Sequence, residues 1–410
     1  MKQILVVLIA LFITNIYGQT TDQELDNRIK KEYKRIGSLT KEEYDKIDYS
    51  KFVKDIEAKV EENPENTEAR YFLGYAYGQK NSYDANDMIH TNLDLVMKAS
   101  EQFEEIIKLT PKYSGEIIGL NPYDKIAAEW GSLAIKYLYE QKKDSAIWAF
   151  KEAKKRGGFN TYTLQLNKER LLTCSKDAVL LSSGDIPTYS LYFLQTVENI
   201  RNDVTVIDVE LLNSTWYPEY LLDRKSIDFG MSSEELQTIN YLEWTDKEIT
   251  IGDFSWILKP SYGEYLLRGN RILLSFLKQN KFQRDIYFTI GFNKEGSLSL
   301  EDSLAQGLVL DKLAITKADK EAFKVSEESL IKMVKMTKYV NINNDEEVNM
   351  VYFFRIMCVY EMNDLFEKMD KETPKKLMNL IDTYIDEDAF PYRDKDVLEF
   401  IQQCRKFFNN

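Results

Sequence analysis

The chain has 410 residues, 44% hydrophobic and 13% aromatic, which is the content of a folded globular protein with material for roughly two to three domains. Acidic residues number 67 and basic ones 54, a net charge of −13 with no basic block, so nucleic acid and anionic lipid surfaces are poor partners. A single histidine, His90, excludes His-based zinc sites, Ser-His-Asp triads and Cys-His dyads together.

Met1–Gly18 has the pattern of a cleaved secretory signal: Lys2, an unbroken apolar run at Ile4–Ile13, and a polar, small-residue exit at Asn15–Gly18. The run is too short for a membrane span, which needs about 20 residues. No cysteine follows it to carry a lipid anchor, and no later window approaches a spanning length. The expectation is a periplasmic or secreted chain without an integral span after cleavage. Cys174, Cys358 and Cys404 are far apart and odd in number, so no disulfide framework can be read. Cys358 is expected in the core, and a Cys174–Cys404 bridge stays open.

Residues 49–158 read as helical throughout. Phe52, Ile56 and Val60 share one face, and Pro64 stops that helix. Tyr71, Leu73, Gly74 and Tyr77, then Ala99, Phe103 and Pro111, resemble the two helices of a tetratricopeptide repeat. A second copy lies at Trp130, Gly131, Leu133, Ala134 and Tyr137, then Ala146, Phe150 and Ala153. Gln79–Lys98 is longer than the usual connection within a repeat, and Tyr113–Lys125 is an insertion between repeats. Stacked repeats need about three units for stability, so this block is expected to lean on the domain C-terminal to it. The aromatic residues are core packing or the lining of a peptide groove.

From residue 160 to 316 the pattern is that of an α/β layer. Ala178–Ser182 and Val204–Leu212 are apolar, strand-like runs flanking the amphipathic stretch Pro187–Ile200, which argues for parallel strands covered on both faces. A helix at Tyr265–Gln279 and a strand at Ile286–Phe292 continue the layer, and Glu248–Leu258 suggests a hairpin or edge strand. Residues 320–410 are helical again, with an apolar stretch at Val351–Tyr360 and an amphipathic one at Pro374–Tyr384. The expected fold class is α plus α/β: N-terminal tetratricopeptide-like helices, a central α/β layer with a mostly parallel sheet, and C-terminal helices.

Three segments resemble the soluble C-terminal region of bacterial multi-pass membrane proteins related to eukaryotic transmembrane protein O-mannosyltransferases. The first joins Ala178–Gln195 to Asn202–Tyr217 and ends on Leu211, Leu212, Asn213, Trp216 and Tyr217. The second is Asn280–Phe288, with Asp285 where proline is usual, and the third is Leu300–Leu313. The loop Gly184, Asp185, Ile186, Pro187, Thr188 departs from the family's Gly-Asp-Asn-Asp-Thr at two positions. The membrane-embedded half, where glycosyl transfer would occur, has no counterpart in this sequence. The resemblance therefore implies an exported accessory domain rather than transferase activity.

The candidate site residues gather around the first of these segments. Gly184, Asp185 and Thr188 open a helix whose free N–H groups suit phosphate or carboxylate; alternatively Asp185 caps that helix itself. No G-x-G-x-x-G is present to support a dinucleotide. Asp208 and Glu210, spaced i, i+2 on a strand, project from one face as a metal-holding pair or as a paired edge. Asn213, Trp216 and Tyr217 follow the strand's carboxyl end and would stack on a sugar ring, or pack the loop onto the sheet. Arg284 is expected to pair with an acid such as Asp302. No cofactor is implied. The expected function is an exported, non-catalytic accessory protein of the cell envelope that binds a protein or peptide through its repeats, or a glycan, in glycoprotein maturation. The alternatives are a carbohydrate-active enzyme using Asp185, Asp208 and Glu210, and a repeat-only adaptor.

Overall fold

A computed structural model describes Lys31 and residues 49–224, 226–290, 296–323, 326–367 and 372–409. The secretory signal expected at Met1–Gly18 lies outside them. From residue 49 on, the described residues open with the helices α1 (Tyr49–Glu62), α2 (Thr67–Asn81), α3 (Leu93–Leu109), α4 (Pro122–Tyr139), α5 (Lys143–Lys155) and α6 (Thr161–Thr173). Four of them begin on asparagine, whose side-chain oxygen accepts from the first turn: Asn66, Asn92, Asn121 and Asn160. Helices α1 to α4 each pack on the next in sequence. Close approach needs small residues: at Gly74 a β-carbon would stand 2.8 Å from Cζ of Phe103 on α3.

The chain then alternates. β1 (Val179–Ser182), α7 (Asp185–Val197) and β2 (Thr205–Asp208) form the expected unit, followed by α8 (Trp216–Asp223) and α9 (Ser233–Thr238). Next come β3 (Leu242–Glu243), β4 (Lys247–Ile251), β5 (Phe254–Leu258) and β6 (Tyr265–Leu266), then α10 (Arg268–Asn280) and β7 (Ile286–Thr289), and finally β8 (Leu304–Ala305) and β9 (Leu310–Leu313). The main sheet has the order β2-β1-β7-β9-β8. β1 runs parallel to both β2 and β7, with Val179 beside Thr205 and Ile286, while β9 is antiparallel to β7 and to β8. Every residue of β1 and β7 is buried, the mark of a sheet covered on both faces. The sheet is thus mostly parallel, as expected, with an antiparallel pair added at one edge. β4 and β5 make the expected hairpin around Gly252, whose φ of +60° suits glycine. The expected helix at Tyr265 begins only at Arg268, because Tyr265–Leu266 pairs with β3, and β7 ends at Thr289.

Helix α7 lies between the sheet and the N-terminal helices, packing on β2, α4, α5 and α6. Phe193 meets Phe150 of α5 at 5.9 Å and Phe159 at 5.4 Å between ring centres. The N-terminal block therefore does lean on the α/β layer. C-terminal helices α11 (Lys317–Ala322), α12 (Glu327–Met336), α13 (Asp345–Glu367), α14 (Glu372–Tyr384) and α15 (Lys395–Asn409) complete the chain. They attach partly through a buried polar joint. Asn121 donates to Asp124 at 2.7 Å and to Asn344 at 3.0 Å, and Asn344 donates to the other Asp124 oxygen at 3.2 Å. Glu347 accepts from Asn160, from Thr163 Oγ1 at 3.1 Å and from the Asn341 N–H at 2.8 Å.

Two expectations are corrected. Arg284 does not pair with Asp302: its guanidinium donates to the carbonyls of Asp177, Ala178 and Ser226 and to Thr205 Oγ1, tying together the amino ends of β1 and β2. All three cysteines are buried free thiols, so Cys174 and Cys404 are not bridged. Among the described residues, no helix is long and apolar enough to cross a membrane.

Candidate ligand site at the carboxyl end of the parallel strands

Chain connections leave β1 toward β2 on one side and reach β7 on the other, so the carboxyl end of β1 is where an open α/β sheet places ligands. The loop there turns at Gly184, with φ +87° and no heavy atom within 4 Å of a built β-carbon. Gly184 is the N-cap residue of α7 and Asp185 its first residue, and no side chain caps this helix. The expectation that Asp185 serves as its own helix's cap is therefore corrected: the cap position falls on Gly184, and no side-chain cap hydrogen bond is made there. It is exposed, and loss of solvation around its carboxyl raises it above the ordinary carboxyl range, opposed by Lys125.

The other expected residues are committed to the fold. Thr188 is fully buried and its hydroxyl lies 2.6 Å from Asp208 and 2.9 Å from Ser182 Oγ. Asp208, 3% exposed, also accepts from the N–H groups of Glu210 and Leu211 at 2.8 and 2.9 Å, which starts the short 3-10 turn Leu211–Asn213. Burial pushes its carboxyl up to about 7, against those hydrogen bonds. β2 ends at Asp208, so Glu210 stands in the turn rather than on the strand, and it accepts from Ser183 Oγ at 2.6 Å. The two acids do not form the one-faced strand pair expected of them. Among the described residues, no group of three or more His, Cys, Asp or Glu side chains is placed to hold a metal.

Asn213 donates to the Glu210 carbonyl and accepts from the Gly269 N–H at 2.8 Å, capping the first turn of α10. Trp216, 4% exposed, donates to the Ala85 carbonyl at 2.7 Å and packs on Tyr139, Tyr217 and Tyr220. Tyr217 is fully buried; its hydroxyl accepts from the Asp208 N–H and bonds the Tyr192 hydroxyl, each at 2.9 Å. Neither ring presents a face to a sugar. They serve the packing role, and Trp216 holds the long connection between α2 and α3 against the sheet's carboxyl end. Within that connection Asn86 accepts from the Thr215 N–H, and Met88 lies against the Tyr189 hydroxyl.

What faces Asp185 comes from the N-terminal helices and was not picked out from the sequence. Lys125 and Glu129 of α4, both half-buried, lie within electrostatic reach of Asp185 and of each other. Glu129 fits against Gly78 of α2, where a β-carbon would stand 3.1 Å from its Cδ and closer to one oxygen. Lys125 Nζ sits 4.7 Å over the Tyr75 ring. Burial pushes Glu129 up to about 7 and lowers Lys125, with each charge opposing the other's shift. The available signal was a Lys–Glu pair one turn apart in the small-residue run KIAAEWG, beside a glycine at 131.

The fold defines an α/β layer whose helix α7 packs on helices α4, α5 and α6 of the N-terminal block. Residues 163–238 match the family model of the TMEM260-associated domain 2, which fits a TMEM260-related family. That stretch contains β1, α7, β2 and all eight candidate residues from Gly184 to Tyr217. No curated protein and no solved structure matches the chain.

Proposed function

We propose that the chain is an exported, non-catalytic binding protein of the cell envelope, taking a protein-derived or glycan ligand during glycoprotein maturation. The observation that carries it is the junction of α2, α4 and the β1–α7 loop. There Lys125 and Glu129 lie within electrostatic reach of Asp185, Glu129 against Gly78 and Lys125 over Tyr75, and nothing lies within 4 Å of the β-carbon position of Gly184. The secretory pattern of Met1–Gly18 supports export. The match to a TMEM260-associated domain supports an accessory role, alongside the resemblance to membrane proteins related to O-mannosyltransferases. The enzymatic alternative loses support because Asp208 and Glu210 are spent on hydrogen bonds within the fold. Resemblance to tetratricopeptide repeats supports peptide binding along α2 to α5 only as a secondary surface.

The test is to screen the mature chain against arrays of envelope glycans and peptides, beside the double variant Glu129→Gln, Asp185→Asn. Retention by the parent that is lost in the variant supports the reading. Equal retention by both, or none by either, overturns it. Mass analysis of exported protein starting at Gln19 tests the compartment separately.

A further inference from the structure

The second family-like segment, Asn280–Phe288, contributes nothing to the junction at α4. Its Asn280 is spent on the carbonyl and N–H of Arg284, and Arg284 on the amino ends of β1 and β2. Lys281 and Phe282 are placed differently. Both take the left-handed backbone conformation in succession, with φ of +48° and +57°, at the end of α10, where glycine is the ordinary residue. Both also line a cleft of about 570 Å³ between that helix end, the β4–β5 hairpin and residues 315–316. That volume is of small-molecule size, roughly 300–1,000 Å³.

The lining is apolar with three charges. Ile251 and Phe254 stand opposite each other at the end of the hairpin, and Phe254 meets Phe282 edge-on at 5.5 Å between ring centres. Ile315 is 39% exposed. The two threonines of the cleft are engaged, Thr250 with Ser255 Oγ at 2.8 Å and Thr316 with Asp319 at 2.7 Å. Lys278, Lys281 and Asp253 complete the lining; all are exposed, and among the described residues none of the three enters an ion pair. Two ammonium groups against one carboxylate leave the cleft positive in a chain that carries a net −13.

We propose that this cleft binds an amphipathic monocarboxylate, a small acid whose apolar body lies on Phe254, Phe282 and Ile315 and whose carboxylate is received by Lys278 and Lys281. A cation would meet two ammonium groups, and a neutral apolar molecule would leave them unmatched. A doubly charged phosphate ester would meet Asp253. A single negative charge on an apolar body suits the lining in both respects. No residue of the cleft belongs to the junction at α4, so neither reading depends on the other.

Calorimetry on the mature chain with octanoate and phenylbutyrate tests this. Their amides serve as neutral probes, and octyl phosphate as one that is doubly charged at about pH 8. At least one acid is expected to bind, with its amide weakened about tenfold or more, as for a lost charged hydrogen bond. Octyl phosphate is expected to bind more weakly than octanoate. In the double variant Lys278→Met, Lys281→Asn, acid and amide are expected to bind equally; asparagine tolerates the left-handed backbone at position 281. In Asp253→Asn the gap between octyl phosphate and octanoate is expected to close. A merely structural role for these exposed side chains would not move either preference. An amide as tight as its acid, octyl phosphate tighter than octanoate in the parent, a double variant that keeps the preference for the acid, or no binding by any probe overturns the proposal.

Discussion

The root of the Tyr189 ring lies close against Gly131: a β-carbon at residue 131 would stand 2.7 Å from Tyr189 Cγ and 3.0 Å from its Cβ. Tyr189 belongs to α7 of the α/β layer and Gly131 to α4 of the N-terminal helices, so this contact sets how closely the two meet. An exposed helical glycine changed to alanine ordinarily gains about 1 kcal/mol. Here the added methyl meets the root of a fully packed ring that cannot swing away, and overpacking of that kind costs about 1–3 kcal/mol. Gly131→Ala is therefore expected to lower stability by about 1–2 kcal/mol, read as a fall in the urea midpoint. A midpoint equal to or above that of the parent would show that the contact is not tight.

Gly78 gives the opposite sign from a similar geometry. The obstruction there is the carboxylate end of Glu129, the far end of a flexible side chain. Gly78→Ala is expected to leave the urea midpoint unchanged or raise it by up to about 1 kcal/mol through helix propensity. It is also expected to displace Glu129 and weaken whatever binds at the junction. Stability and binding would then move independently. A large loss of stability would mean that Glu129 is locked where it stands.

This pair shows where sequence reading succeeds and where it stops. β1, α7 and β2 are legible because continuous apolar runs on either side of an amphipathic stretch have few other uses. β8 and β9 were missed because Asp311 and Lys312 interrupt the run; Lys312 reaches Asp285 at 3.0 Å and Asp311 accepts from the Gly307 N–H. The residues of the family-like segment, Asn213, Trp216 and Tyr217, were legible as a cluster but not as joints. Their role depends on Gly269, Ala85 and Asp208, which tertiary packing brings to them. Lys125 and Glu129 were invisible for the converse reason. A Lys–Glu pair one turn apart reads as a solvated helix face until Gly78 and Asp185 are placed against it.

The joint between α4 and α13 is expected to depend on pH. Burial raises Asp124 from the ordinary 3.8 to about 7, with Glu347 adding to the shift and hydrogen bonds from Asn344 and Asn121 opposing it. A carboxyl whose folded pKa lies above its unfolded value holds its proton more tightly when folded. Its contribution is complete below about pH 4 and is lost as the pH rises toward about 7. Glu347 is raised in the same direction. Asp124→Asn cannot ionise, and it keeps an oxygen to accept from Asn344. The fall in stability between about pH 5 and about pH 8 is expected to be smaller in this variant than in the parent, by urea midpoints across the range. Parallel profiles for the two proteins would rule out Asp124 as the titrating group.

Tyr217 offers a test of the claim that the family-like residues are structural. Its hydroxyl is buried, receives the Asp208 N–H and bonds Tyr192, whose own hydroxyl reaches the Val206 carbonyl at 3.4 Å. Tyr217→Phe keeps the ring and its packing on Trp216 and Tyr220, but leaves the Asp208 N–H without its acceptor. A buried donor stranded in this way costs about 1–3 kcal/mol. Truncation of the exposed Asn213 to alanine removes the cap of α10 and is expected to cost about 1 kcal/mol. Both losses should be seen in urea midpoints, while ligand retention by the folded protein stays that of the parent, since the hydrogen bonds of both side chains go to Glu210, Gly269, Asp208 and Tyr192 rather than to Lys125, Glu129 or Asp185. Abolished retention in Tyr217→Phe at unchanged stability would return this loop to the binding surface and displace the site assigned to α4.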